Sequence, residues 1–166
     1  MAWKQRQMLA AGARAPEFSL RDAGGERHSL QSLIEPGPVL LAFFKVSCPI
    51  CQYTLPFLER IHAGAGGAEA SIRIVGISQD GARDTQEFAS EFGLTFPMLL
   101  DEAGAGYPAS NAFGIGTVPS LFLVEPDGGI AKSETGFSKR ELEEVGRRAG
   151  VAPFQSGERV PEMRPG

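Results

Sequence analysis

The two cysteines of this chain are separated by two residues, inside Phe43-Phe44-Lys45-Val46-Ser47-Cys48-Pro49-Ile50-Cys51-Gln52. Directly before them runs an unbroken apolar stretch, Val39 to Phe44. A run of that length and type reads as a strand buried on both faces. Beyond the pair, Leu55, Leu58 and Ile61 recur at helical spacing between Gln52 and His62. The sulfurs therefore mark a strand-to-helix junction. Any fold that accepts it must cover one central strand from two sides.

The junction has a chemical logic. With Cys48 as N-cap, Pro49 falls at the first helical position, where a missing N–H costs nothing, and Cys51 falls at the third. A Cys48 thiolate there accepts hydrogen bonds from the unpaired N–H groups of the first turn and faces the positive end of the helix dipole. Both effects favour the thiolate and predict that Cys48 is the nucleophile. Cys51, one turn further in, is expected to be more buried and to act as the resolving thiol. Two other readings compete. A structural zinc needs four ligands, and only His28 and His62 remain to complete a set, without finger-like spacing. Two inert core thiols are the other alternative, but a helix start with Pro-x between the sulfurs is an unusual place for them.

Phe43 to Pro56 resembles the active-site segment of the thioredoxin superfamily, most closely its redoxin and TlpA-like branch, with relatives among the alkyl hydroperoxide reductase and thiol-specific antioxidant proteins. The Cys-Pro-x-Cys core carries the likeness, as does Pro56, which stands where thioredoxins kink this helix. It extends through Ala15-Pro16-x-Phe18-x-Leu20, through Phe96-Pro97-x-Leu99-x-Asp101, and through Gly116-Thr117-Val118-Pro119 heading an apolar strand. In all it covers roughly Ala15 to Ala149. The resemblance implies an α/β, thioredoxin-like fold: a mixed central β-sheet with helices on both faces and an N-terminal β-hairpin extension. It implies a cis Val118–Pro119 bond facing the cysteines, with the Val118 backbone offered to an extended peptide. Ser47, Pro49, Ile50 and Thr117 join Val118 and Pro119 around the sulfurs, and Gly136-Phe137 resembles the third loop bordering the substrate groove. No cofactor is implied beyond a redox-active Cys48–Cys51 disulfide, and no metal.

Along the chain, residues 1–14 read as an N-terminal extension with weak helical character, 15–150 as the redoxin domain and 151–166 as an extended or frayed tail. A helix is expected from Asp84 to Phe92, with Asp84 as N-cap, Glu87 completing a capping box and Gly93 closing it. Ser138-Lys139-Arg140-Glu141 reads as a capping box opening the last helix. The acidic cluster Glu141, Glu143, Glu144 reads as a solvated face. Phe137, outside any periodic run, suits groove lining and plain packing equally.

Three functions fit: a thiol–disulfide oxidoreductase, a peroxiredoxin-like thiol peroxidase, and a non-enzymatic module for binding or sensing. By the resemblance, a peroxidase places a Thr or Ser three residues before its reactive cysteine to hold the peroxide. Lys45 stands there instead, which favours the first reading. The chain also departs from the family. Ser47 replaces the usual Trp, Ala42 stands where thioredoxins bury an acid, and Thr54 where TlpA-like proteins often carry Glu. No carboxylate is thus apparent to take the Cys51 proton. The expected partners are a protein or small-molecule disulfide or dithiol and an external reductant. A net charge of −4 without a basic cluster argues against nucleic acid. No apolar run reaches the roughly 18 residues needed to span a bilayer. As it stands the sequence reads as cytoplasmic; a chain whose leader had been removed would look the same and would be periplasmic or exported.

Overall fold

The computed structural model describes residues 7–67 and 70–166. In chain order its elements are β1 (Ser19–Asp22), β2 (Arg27–Ser29), α1 (Leu30–Ile34), β3 (Val39–Phe44), α2 (Pro49–Gly64), β4 (Arg73–Ser78), α3 (Ala82–Phe92), β5 (Met98–Leu100), α4 (Pro108–Phe113), β6 (Ser120–Val124), β7 (Ile130–Thr135), β8 (Phe137–Ser138), α5 (Lys139–Ala149) and β9 (Met163–Arg164). Seven strands form one sheet in the order β2-β1-β5-β4-β3-β6-β7. β3, β4 and β5 run parallel, while β1–β2, β1–β5, β3–β6 and β6–β7 are antiparallel pairs. This is the mixed sheet with a leading hairpin that the sequence implies. No helix among the described residues is long and apolar enough to cross a membrane.

β3 sits near the middle of the sheet, and every residue of it is at most 1% exposed. The period-two alternation of a strand divides its side chains between two cores. Leu40, Ala42 and Phe44 pack with Leu55, Leu58 and Ile61 of α2, Phe88 of α3 and Leu142 and Val145 of α5. Val39, Leu41 and Phe43 pack on the other face with Leu30, Leu33 and Ile34 of α1 and Phe113 of α4. Half-buried Val118 touches both cores. Each buried Val, Leu or Phe side chain of such a strand contributes about 1.5–3 kcal/mol from leaving water, and Ala42 less. Six in a row fix the strand's place, and with it the loop that follows.

The short α4 is held by a buried acid. Asp101, just past β5, accepts the Ala109 and Ser110 N–H groups at 3.0 and 2.7 Å. A six-residue helix has little stability of its own, so these charge-assisted bonds to its first turn fix where it starts.

Four expectations need correction. The helix expected from Asp84 begins at Ala82 with Gly81 as N-cap, the Thr85 N–H donating to the Gly81 carbonyl at 3.0 Å. Asp84 lies instead in the exposed first turn, and Glu87 pairs with Arg83 at 3.1 Å rather than reaching back. Ser138 does cap α5, accepting the Glu141 N–H at 3.3 Å. The Glu141 and Glu144 carboxylates, however, both converge on Lys132 of β7, so this face is a clamp and not merely solvated. Residues 7–14 form turns and a single bridge, Arg14 to Gly129, rather than a helix, and 1–6 lie outside the described residues.

The fourth concerns residues 151–166, which are docked rather than frayed. Phe154 packs edge-on against Phe57 of α2, ring centres 5.0 Å apart. Arg60 donates to the Pro153 carbonyl at 3.0 Å and pairs bidentately with Glu158 at 2.7 and 2.9 Å. An Arg fork on a carboxylate is the surface ion pair with the best geometry. Val160 rests on the core, and β9 then pairs antiparallel with β8.

Candidate active site

The C-terminal ends of the parallel strands β3 and β4 open onto the same edge of the sheet, where open α/β sheets place their sites. The loop after β3 turns at once into α2. Cys48 is its N-cap, with extended backbone, and Pro49 is the first helical residue. The Cys48 Sγ accepts the Cys51 N–H at 3.1 Å. Across the site, the Cys48 thiol donates to the Val118 carbonyl at 3.5 Å, the reach of a hydrogen bond to sulfur. The Val118–Pro119 bond is cis. Cys48 is half-buried, whereas Cys51 is fully enclosed. Burial pushes the Cys51 thiol far above its usual range, with hydrogen bonding to Cys48 the next cause and a backbone hydrogen bond from Lys45 acting the other way.

The structure gathers most of the proposed residues around these sulfurs. Ser47 and Pro49 are exposed beside Cys48, and Ile50 is half-buried. Pro119 is buried, and its carbonyl accepts the Gly136 N–H at 2.8 Å, which brings the third loop alongside. Phe137 is fully buried and meets Tyr53 edge-on with centres 4.9 Å apart. Its ring is core packing rather than an exposed groove lining. Thr117 is exposed and directs its hydroxyl to Thr135 at 2.7 Å. Its carbonyl accepts from Ser120, so it braces the loop.

Three residues escaped the sequence reading. The Asp80 carboxylate accepts the Val46 N–H at 2.8 Å, and its charge is one of the forces holding the Cys51 proton in place. Gln52 donates to the Val46 carbonyl at 2.9 Å, so Val46 is gripped on both sides. Tyr53 carries the Arg164 guanidinium 4.9 Å above its ring. Asp80 could have been found: Phe44 pairs with Ser78, so a residue two past β4 must arrive beside a residue two past β3. Thr54 is buried, and its hydroxyl has no partner among the described residues.

One group among the described residues has metal-ligating atoms close together: Asp22, Glu26 and His28, within 4.8 Å. It belongs to the β1–β2 hairpin, includes neither cysteine, and already joins Asp22 to His28 at 2.9 Å.

A half-exposed cysteine at a helix N-terminus, a buried partner one turn in and a cis-proline loop opposite define a thioredoxin-fold thiol–disulfide oxidoreductase. Residues 11–133 match the model of the AhpC/TSA family, and the chain belongs to that family. It is 30% identical to the thiol-disulfide oxidoreductase ResA of Halalkalibacterium halodurans over 84% of this chain and 76% of that protein. The thioredoxin domain of a thiol-disulfide oxidoreductase from Bacteroides vulgatus has a similar fold. Its TM-score is 0.73 at 23% identity, covering 84% of this chain and 97% of that one. Peroxidoxin BcpB of Mycobacterium tuberculosis is similar at a TM-score of 0.67 and 26% identity, covering 83% and 94%.

Proposed function

We propose that the protein exchanges disulfides with polypeptide substrates through Cys48, with Cys51 as the resolving thiol. The placement of the Cys48 sulfur carries this reading. It lies at a helix N-terminus, open to solvent on one side and beside the Val118 backbone on the other. The Cys48 thiolate attacks one sulfur of a substrate disulfide, and the other sulfur departs as a thiolate. Cys51 then loses its proton toward Asp80 and attacks the Cys48 sulfur. The second substrate sulfur leaves, and a Cys48–Cys51 disulfide remains. An external dithiol returns the pair to the reduced state by the reverse exchange. Ser47, Pro49 and Ile50 shape the attacking side, Val118, Pro119 and Gly136 the facing side, and Thr117 braces the latter.

Peroxide reduction through a sulfenic acid is the competing reading, suggested by the likeness to a peroxidoxin. The oxidoreductase reading is favoured because Lys45 stands where that chemistry asks for a hydroxyl. Insulin-disulfide reduction driven by a dithiol, set against stoichiometric peroxide consumption, tests the choice. Efficient reduction of insulin with slow peroxide loss is expected. Rapid peroxide loss that survives Cys51→Ser but not Cys48→Ser would reverse the assignment.

A further inference from the structure

The last described segment follows the edge of the groove. The Lys139 N–H donates to the Glu162 carbonyl at 2.9 Å, and Phe137 pairs with Arg164 and Ser138 with Met163 in antiparallel register. The chain then turns across Gly136, whose positive φ of 75° and missing side chain let it pass. A Cβ there would lie 2.5 Å from the Arg164 carbonyl and 3.1 Å from the Gly166 nitrogen. Gly166 comes to rest on the Val118 carbonyl and within 3.5 Å of the Pro119 ring, measured from where its own Cβ would be. That carbonyl is the one receiving the Cys48 thiol.

We infer that residues 162–166 occupy the groove that a polypeptide substrate must enter, so that substrate binding requires their displacement. The inference rests on the thiol–disulfide reading. An incoming extended peptide pairs through its backbone with the same carbonyl and the same loop edge, and two chains cannot share them. The segment is attached in a way that permits release. Phe154, Glu158 and Val160 anchor the preceding stretch to α2 and the core. From Pro161 onward every residue is exposed, Met163 at 63%, and a two-residue ladder, the Lys139–Glu162 hydrogen bond with its 3.9 Å surface ion pair, and one Arg164–Tyr53 contact hold the rest. A ladder of that size is marginal by itself. Arg164 also assigns Tyr53 a role, since a basic side chain of the substrate takes the ring once Arg164 has left it.

The test compares two disulfides on the full chain. Insulin needs the groove; 5,5′-dithiobis(2-nitrobenzoate) needs only access to Cys48. In Gly166→Val the new side chain runs into Val118 and Pro119 and lifts the segment, and in Arg164→Ala the Tyr53 contact is lost. Arg164→Ala lowers KM for insulin about two- to fivefold, the factor an exposed cation–π contact is worth, and Gly166→Val lowers it as well, with kcat unaltered in both. Neither changes the rate with the small disulfide. A synthetic Pro-Glu-Met-Arg-Pro-Gly peptide inhibits insulin reduction competitively in the double variant, and its Arg→Glu version does so more weakly. An insulin KM that is unchanged or raised in both variants overturns the inference. Failure of the unmutated protein to reduce the small disulfide would instead overturn the oxidoreductase reading. As a second measurement, Cys51→Ser protein trapped with a peptide on Cys48 exchanges its Arg164 and Lys139 amide protons faster than free protein. Equal exchange in the two states also overturns it.

Discussion

Asp80 and Val46 are joined by a 2.8 Å hydrogen bond from the Val46 N–H to the Asp80 carboxylate, which ties the end of β4 to the loop carrying the cysteines. The same carboxylate bears electrostatically on Cys51. One side chain thus positions the loop and adds negative charge near the thiol whose proton the proposed resolving step releases.

Asp80→Asn separates the two roles, since the amide oxygen still accepts from Val46 but no longer takes a proton. Resolution of the Cys48 mixed disulfide should slow about 100-fold or more, the scale of a lost general base, while its formation proceeds as before. Rapid-quench trapping of the mixed disulfide measures both steps. Equal resolution rates in the variant and the parent would remove Asp80 from the mechanism.

Alkylation of the reduced protein near neutral pH should label Cys48 well before Cys51. Cys48 is half-exposed at the N-cap, while Cys51 is fully enclosed and its thiol is held protonated chiefly by burial. Mass mapping of partly labelled protein reads the order, and early modification of Cys51 would exchange the two roles.

The protonated Cys51 also sets an alkaline limit on the reduced fold. Its thiol titrates well above the ordinary value in the folded protein and near about 8.5 in the unfolded chain. The unfolded chain therefore loses its proton first as pH rises. The associated stability is complete below about pH 8.5 and falls above it, by at most about 1.4 kcal/mol per pH unit. Urea unfolding of the reduced protein between neutral and alkaline pH should show this decline, and Cys51→Ala should make it shallower. Parallel declines in the two proteins would contradict the assignment.

Thr54 is enclosed, with no partner for its hydroxyl among the described residues. Thr54→Val keeps the shape and removes the desolvated group, so it should raise stability by about 1 kcal/mol without changing the rate of disulfide exchange. Chemical denaturation measures the first and insulin reduction the second. A clear loss of stability would mean that the hydroxyl has a partner in solution.

The central strand, the cysteine pair at a helix start and the closing strands were legible because local pattern and burial agree there. Val39 to Phe44 is apolar throughout since both faces are covered, and Pro49 suits only the first helical position. The start of α3 was misread because Asp84 and Glu87 imitate a capping box, while the true cap, Gly81, offers no side chain to recognise. Asp80 was missed because its partner, Val46, is 34 residues away, and only the β3–β4 register brings them together. Residues 151–166, with their prolines and glycines, resemble a loose end. Their docking depends on Phe57, Arg60 and Tyr53, one face of a helix about a hundred positions earlier.

Val118 presents its carbonyl to Cys48 and sets its side chain against both cores. It therefore acts as a keystone between two halves that β3 otherwise keeps apart. A substrate leaning on this loop pushes against the α2 layer and the α1 layer together, so neither can yield alone. On the proposed reading the facing wall of the site is therefore braced from both layers, whereas the rim opposite it carries exposed Ser47 and Pro49.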